Sequence, residues 1–275
     1  MRLGLFGSTV LAGIVLLTAE DAARQQDPCS ENIPSVDEHS ANCAAVAQVG
    51  QETIRSQAGA FNNGGNARAA KGENDRAIAD YNEAIRLDPN YAHAYFNRGR
   101  AYAAKGDNDS AIADYNEAIR LDSKFSVAYN NRGIAYKAKG DNDGAIADYN
   151  EAIRLDPKYM PAYFNRALAY FAKRDYDRAI TNYSAAIRLD PKYTGAYNNR
   201  GTAYLVKGDS NRAIADYSEA ISLDPTYTDA YNNRGNAYIL KGDSNRAIAD
   251  YRTALKLDPT LNEARDQLQR LGVSP

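Results

Sequence analysis

A repeat of 34 residues constrains this chain more than any other feature of its sequence. Tyrosines recur at this interval in four series, which together hold 20 of the 21 tyrosines. The series are Tyr95, Tyr129, Tyr163, Tyr197 and Tyr231; Tyr81, Tyr115, Tyr149, Tyr183, Tyr217 and Tyr251; Tyr102, Tyr136, Tyr170, Tyr204 and Tyr238; and Tyr91, Tyr159, Tyr193 and Tyr227, with Phe125 in its gap. A fixed period of roughly 20–50 residues indicates a repeat protein. The tyrosines therefore belong to a scaffold rather than to a catalytic site.

Each repeat is predicted to contain two helices. In residues 92–125, apolar residues at helical spacing precede Gly106, and Asp107 follows as a suitable N-cap. The second helix then places Ala111, Tyr115 and Ala118 on one face, because their spacing is four and three residues. Proline follows in five of the six repeats, and proline cannot continue a helix.

Small residues recur where two helices must approach closely. A glycine in a helix interior costs about 1 kcal/mol relative to alanine, so its recurrence needs a reason. The mid-helix glycines are Gly65, Gly99, Gly133, Gly201 and Gly235. We expect them to contact alanines of the paired helix, namely Ala77, Ala111, Ala145, Ala179, Ala213 and Ala247. Neither helix can bury its apolar face alone, so the repeats must stack into a solenoid.

The spacing Tyr, Gly, Tyr, Ala, Tyr, Ala, Pro resembles that of the tetratricopeptide repeat (TPR). The resemblance covers 204 of the 275 residues. It divides residues 58–261 into six repeats, which we number from the N-terminus: 58–91, 92–125, 126–159, 160–193, 194–227 and 228–261. It implies an all-α fold, a right-handed superhelical solenoid of helix–turn–helix units, and the binding of a protein or peptide partner.

The two ends of the array depart from the repeat. Residues 262–275 are predicted to form a capping helix and tail, with Ala264 and Leu268 on one face. In the first repeat Phe61, Gly64 and Arg68 replace Tyr, Arg and Tyr, so we expect its first helix to be frayed. Residues 41–56 are compatible with one further helix.

Residues 1–23 have the pattern of a cleaved export signal. Arg2 precedes an uncharged stretch of 15 residues, 3–17, and small residues follow it. That length suits a signal core of about 7–15 residues and is short of the roughly 20 that span a membrane. We expect export to the periplasm or the exterior. An uncleaved membrane anchor formed by residues 3–17 remains the alternative.

The segment 24–57 contains both cysteines of the chain, Cys29 and Cys43. Two nearby cysteines usually pair in an oxidising compartment, so export favours a disulfide. The closed loop would stabilise the fold by about 3 kcal/mol in the chain-entropy treatment. Two unpaired thiols without a role remain the alternative.

Composition and motifs exclude several classes of function. A net charge of −2 argues against a nucleic-acid partner, which requires a basic surface. Two histidines and two cysteines are too few for a zinc or iron–sulfur site, so we expect no metal and no cofactor. The chain has no glycine-rich phosphate loop, nucleophile elbow or metalloprotease motif, and we expect no catalytic activity.

A recurring arginine invites two interpretations. Its series is Arg98, Arg132, Arg166, Arg200 and Arg234. The matching acidic series is Asp114, Asp148, Asp216 and Asp250, with Asn182 in the fourth repeat. The arginines could form a cationic ladder for an anionic ligand, or ion pairs between the two helices of each repeat. The second interpretation is favoured because a partly buried arginine needs a partner.

One asparagine per repeat is the candidate ligand contact. An amide both donates and accepts, so it can bond the N–H and C=O of an extended peptide. The series is similar to the asparagine ladder of a peptide-holding TPR superhelix, with solvated or internally bonded asparagines as the alternative. The predicted contacts are Asn97, Asn131, Asn165, Asn199 and Asn233, flanked by Phe96, Asn130, Phe164, Asn198, Arg100, Lys137 and Phe171.

These observations predict an exported TPR scaffold that binds an extended segment of a partner protein in its groove. A self-assembling solenoid, stacked or dimerised into a homo-oligomer, is the alternative of a different class. The carboxylate clamp of some family members is not expected, because Val127, Pro161 and Gly195 occupy positions where it needs cations.

Overall fold

The computed structural model describes residues 43–274, and this part of the chain contains thirteen α-helices and no strand. The helices are α1 (Cys43–Ala70), α2 (Asn74–Leu87), α3 (Ala92–Ala104), α4 (Asn108–Leu121), α5 (Ser126–Ala138), α6 (Asn142–Leu155), α7 (Met160–Ala172), α8 (Tyr176–Leu189), α9 (Thr194–Val206), α10 (Ser210–Leu223), α11 (Thr228–Leu240), α12 (Ser244–Leu257) and α13 (Asn262–Arg270). The all-α prediction is confirmed. The predicted signal and Cys29 lie outside the described residues. Within those residues, no helix combines the length and apolar character needed to cross a membrane.

The described residues form two compact units, 43–157 and 158–274, which we treat separately. In each unit consecutive helices pack as antiparallel pairs, and each pair packs on the next. Both units are built from the same local signals. In the second repeat Gly106 has φ of +81°, which ends α3, and the Asp107 carboxylate accepts the Ser110 N–H at 3.1 Å to begin α4.

The mid-helix glycines make room for tyrosine rings, and Gly99 and Gly201 also approach the expected alanines of the paired helix. A Cβ added to Gly99 would lie 2.8 Å from the ring of Tyr115, which is 1% exposed. The Ala111 carbonyl oxygen is farther, at 3.2 Å. The Tyr115 ring lies between the two helices of the pair. The first helix therefore needs a small residue where this ring contacts it.

The expectation of a frayed first helix is wrong. Helix α1 is continuous over 28 residues and crosses the predicted boundary between the cysteine segment and the first repeat. Arg68 compensates for the missing arginine at Gly64, because it forms an ion pair with Asp80 from one turn further along α1. The Tyr81 hydroxyl also donates to Asn66 at 2.8 Å.

The predicted C-terminal cap is confirmed as α13. Ala264 and Leu268 are fully buried against Tyr251 and Ala254 of α12, and Leu271 packs at the edge of the same cluster. The opposite side of α13 is polar, as the end of a solenoid requires.

Candidate peptide-binding surface

The recurring arginines bind the second helix of their own repeat. In the unit 43–157, Arg98 donates from Nε and Nη2 to the two carboxylate oxygens of Asp114 at 2.8 and 2.6 Å. Arg132 and Asp148 repeat this geometry, and so do the pairs Arg200–Asp216 and Arg234–Asp250 in the unit 158–274. The ion-pair interpretation is therefore confirmed for these four arginines.

The same arginines also join neighbouring repeats. Arg98 Nη1 donates to Asn82 of the preceding repeat at 2.6 Å, and Arg200 Nη1 donates to Ser184 at 2.9 Å. The Arg98 guanidinium lies 5.5 Å from the centre of the Tyr95 ring. The hydrogen bonds that Arg98 donates to Asp114 raise the pKa of Arg98, while burial raises the pKa of Asp114 despite its arginine. These groups are engaged within the scaffold.

The fourth repeat breaks this series. Arg166 Nε donates at 2.8 Å to the amide oxygen of Asn182, where the other repeats place a carboxylate. Burial lowers the pKa of Arg166, in contrast to the raised pKa of Arg200. The local cause is the single substitution of the acidic residue by Asn182.

Two of the ladder asparagines bond to asparagines of the preceding repeat. Asn97 Nδ2 donates to the amide oxygen of Asn62 at 2.9 Å, and Asn233 Nδ2 donates to Asn198 at 3.0 Å. Each acceptor lies 35 residues earlier, just before the ladder position of its own repeat. The Nδ2 groups of Asn97 and Asn233 therefore already donate within the protein. Contact of these two residues with a peptide would have to use their amide oxygens.

Asn131 lacks such an acceptor because a phenylalanine occupies its place. The residue 35 positions before Asn131 is Phe96, whose ring lies 4.8 Å from Phe125 and 5.9 Å from Tyr115. Asn131 is only 4% exposed, and its Nδ2 has no hydrogen-bond partner among the described residues. A buried unpaired donor is costly, so this position differs in kind from Asn97.

The other predicted contacts divide by burial. Phe96, Asn130, Phe164, Asn165 and Asn198 are buried. The partly exposed positions are Arg100, Lys137, Phe171, Asn199 and Asn233. Each of these five side chains presents some surface at which a ligand can make contact.

Sequence reasoning missed a hydrogen bond beneath this surface. The Tyr217 hydroxyl donates to Thr202 at 3.2 Å, and the Tyr251 hydroxyl donates to Asn236 at 2.7 Å. In the third repeat the matching position is Ile134, and the Tyr149 hydroxyl is buried without a partner. The available signal was the residue type at this position, which is apolar in the third and fourth repeats (Ile134 and Leu168) and polar in the others.

The described residues contain no group of three His, Cys, Asp or Glu side chains that could hold a metal ion. The paired helices, the tyrosine–glycine contacts and the arginine bridges define a helical repeat scaffold. A TPR repeat model matches residues 65–106, 99–140, 135–174, 169–208 and 203–242, and a tetratricopeptide repeat model matches residues 228–261. The chain belongs to the tetratricopeptide repeat family.

No curated protein matches the chain significantly. Among solved structures, MamA is 28% identical with a TM-score of 0.56, covering 60% of this chain and 96% of its own. YrrB, described as a TPR protein with an unusual peptide-binding site, is 21% identical with a TM-score of 0.58, covering 69% of this chain and 97% of its own. PilF of Pseudomonas aeruginosa is 16% identical with a TM-score of 0.69, covering 80% and 99%. The last two likenesses show the fold alone.

Proposed function

We propose that the protein is a non-catalytic scaffold that binds an extended segment of a partner protein along the first helix of each pair. In this proposal the six repeats of residues 58–261 each contribute one asparagine to the contact. The observation that carries it is this series, which places an amide at the same point of every repeat. A fixed amide holds a backbone without reading its side chains.

The proposal uses two kinds of amide. Asn97 and Asn233 donate to neighbouring asparagines and keep their oxygens as acceptors for a backbone N–H. In Asn131 the group without a partner is the donor, Nδ2, which can bond a backbone carbonyl. Because this donor is buried, a segment reaches it only when neighbouring side chains move. Binding is therefore coupled to a local rearrangement in the third repeat.

A peptide array tests the ladder with the full chain and two double variants. The test variant is Asn131→Ala with Asn165→Ala. The control is Asn211→Ala with Asn245→Ala, which removes two exposed amides from second helices. We expect the test variant to lose about tenfold or more in affinity, since each lost hydrogen bond contributes about 1 kcal/mol. Equal binding by both double variants, with unchanged melting curves, would rule out the ladder.

We also propose that the scaffold works after export. Support comes from the uncharged stretch 3–17 and from the cysteine pair behind it. N-terminal sequencing of the protein from the cell envelope tests this step, and a start between residues 20 and 24 is the expected result. An intact Met1 in the membrane fraction would favour the anchored alternative, and an intact Met1 in the cytoplasm would contradict export.

A self-assembling solenoid is the second candidate, and exposed apolar residues on α1 favour it. Ile54 is 42% exposed and Phe61 is 40% exposed, seven residues apart on one face of the helix. Light scattering of the full chain separates the candidates. A monomer at all concentrations contradicts assembly, whereas an oligomer that Ile54→Ser with Phe61→Ser converts to a monomer supports it.

A further inference from the structure

Lys137 on α5 is a cation at an otherwise apolar position. The equivalent residues of the other repeats are Ala103, Phe171, Leu205 and Ile239. Lys137 is half-buried, and it has no ion pair among the residues that the structure describes. Three turn lysines behave differently, because Lys105, Lys139 and Lys207 each form an ion pair with an aspartate of the preceding repeat. Burial without a counter-ion also lowers the pKa of Lys137.

Two further donors without acceptors lie close to this lysine along the repeat. Asn131 Nδ2 has no partner, because Phe96 stands at the place where the equivalent asparagine accepts from Asn97 or Asn233. The Tyr149 hydroxyl has none either, because Ile134 stands where Thr202 accepts from Tyr217. By this equivalence the Tyr149 hydroxyl lies beneath Ile134. A native domain contains few buried unpaired groups, and two in one repeat mark an unusual place.

Two of the three donors, Asn131 and Lys137, share one face of α5, and Ile134 lies between them. Asn131, Ile134 and Lys137 follow at intervals of three residues, which places them on one ridge of the helix. The ridge extends about 9 Å along the axis. By the same equivalence, the Tyr149 hydroxyl of α6 lies next to Ile134 on the buried side of this ridge.

A second cation stands on the neighbouring helix. Helix α3 packs against α5, and Arg100 lies on it at the position that Ile134 occupies in the next repeat. Arg100 and Lys137 therefore lie on contacting helices, with Lys137 three residues beyond the position equivalent to Arg100. Arg100 lies over the Phe96 ring at 5.9 Å. The partly exposed residues at the candidate ligand positions of these two repeats include no acid: His93, Arg100, Ala103, Val127, Ile134 and Lys137.

We propose that this face of the second and third repeats receives a carboxylate of the bound segment at Lys137, with Arg100 beside it. The inference rests on the proposed function and names the chemistry of the segment. An ionised carboxylate carries acceptors only, so it suits a face that carries cations and unpaired donors and no acid. Positive charge facing negative charge also sets which segments are selected and in which register they bind. The carboxylate comes from an Asp or Glu side chain or from the C-terminus of the partner.

A synthetic random peptide library tests the proposal against the full chain. The variants are wild type, Lys137→Met and Lys139→Met, where the last removes a lysine of the same turn whose partner is Asp109. Each selection is run with free and with amidated peptide C-termini. We expect wild type to enrich acidic peptides, and Lys137→Met to lose that enrichment and about tenfold in affinity for them. Lys139→Met is expected to behave as wild type.

The outcomes distinguish failure of the carboxylate site from failure of the scaffold function. Enrichment in the amidated arm identifies side-chain carboxylates, and enrichment only in the free arm identifies a C-terminal carboxylate. Peptides that bind without acidic enrichment, or an enrichment that Lys137→Met leaves intact, overturn the carboxylate site and leave the scaffold function standing. No peptide binding by any variant overturns the proposed function and the site with it.

Discussion

The fourth and fifth repeats are neighbours in the unit 158–274 and have helices of the same lengths, 13 and 14 residues. They differ at three points that would each be expected to matter. The mid-helix glycine, the carboxylate partner of the arginine and the glycine of the turn are all present in the fifth repeat, as Gly201, Asp216 and Gly208. The fourth repeat has Ala167, Asn182 and Arg174 instead.

The comparison of the two repeats shows which contact is kept when the residues around it differ. Tyr183 and Tyr217 are both fully buried, so the tyrosine between the helices is kept although its surroundings change. The fourth repeat adds aromatic contacts around it, because Phe164 lies 5.7 Å from Tyr183 and 4.9 Å from Tyr193. Aromatic pairs of this kind contribute about 0.5–1.5 kcal/mol beyond their area. The fourth repeat thus has aromatic packing at Phe164 where the fifth repeat has Asn198, while its arginine has only a neutral partner.

The largest expected effect comes from removing the carboxylate of the fifth repeat. Asp216→Ala leaves Arg200 half-buried without its bidentate partner, and we expect it to lower the free energy of unfolding by about 3 kcal/mol. Asn182→Ala in the fourth repeat removes a neutral acceptor and should lower it by about 1 kcal/mol. Urea unfolding of both variants measures the difference.

Hydrogen exchange localises that loss. Repeat proteins unfold in parts, so the amides of α9 and α10 should lose protection in Asp216→Ala before those of α12 do. Equal destabilisation by the two variants would show that the charge of the partner is irrelevant, and it would remove the distinction between the repeats.

The next effect concerns space between the helices. A Cβ on Gly201 would lie 2.8 Å from the Tyr217 ring and 3.2 Å from the Ala213 carbonyl oxygen. We expect Gly201→Ala to lower the free energy of unfolding by about 2 kcal/mol, because overpacking exceeds the gain in helix propensity. Ala167→Gly in the fourth repeat should cost about 1 kcal/mol through propensity alone. A stabilised Gly201→Ala would contradict the tyrosine–glycine account.

Much of the fold was predictable because its signals are local and repeated. Turn glycines, capping aspartates and terminal prolines mark the helix ends within each repeat, so one unit predicts the others. The ion pair between Arg98 and Asp114 followed from the same regularity, since both residues recur together and a half-buried guanidinium needs a partner. The cap at α13 followed from the need to cover an apolar end.

The remaining features depend on neighbours that the period does not reveal. The bond from Asn97 to Asn62 joins two repeats at an offset of 35 residues, one more than the period. Arg68 reaches Asp80 because it lies one helical turn after Gly64, the position at which the other repeats have their arginine. The continuity of α1 reflects tertiary packing, which outweighs a weak local match. Burial of the ladder residues likewise follows from stacking rather than from any single repeat.

A smaller effect is expected at the turn of the fourth repeat. Arg174 has φ of +61°, while Gly208 occupies the same place in the fifth repeat with φ of +82°. The left-handed region costs a residue with a side chain about 1 kcal/mol, so Arg174→Gly should raise the free energy of unfolding by about that amount. Gly208→Ala should lower it by a similar amount. If Arg174→Gly is destabilising, the arginine side chain contributes contacts that outweigh its backbone cost.

The smallest expected effect tests whether the fourth repeat can be returned to the common pattern. Asn182→Asp would give Arg166 the acidic partner that Arg200 has, and a charge-assisted bond is stronger than a neutral one. Two losses offset the gain: burial disfavours the new carboxylate, and the bond from Asn182 Nδ2 to the Arg178 carbonyl disappears. We therefore expect the free energy of unfolding to rise by less than about 1 kcal/mol at neutral pH. Thermal melting with Asp216→Asn as the reverse substitution checks the sign, since that variant should be destabilised. A destabilised Asn182→Asp would mean that the aromatic packing of the fourth repeat has made the neutral partner the better one.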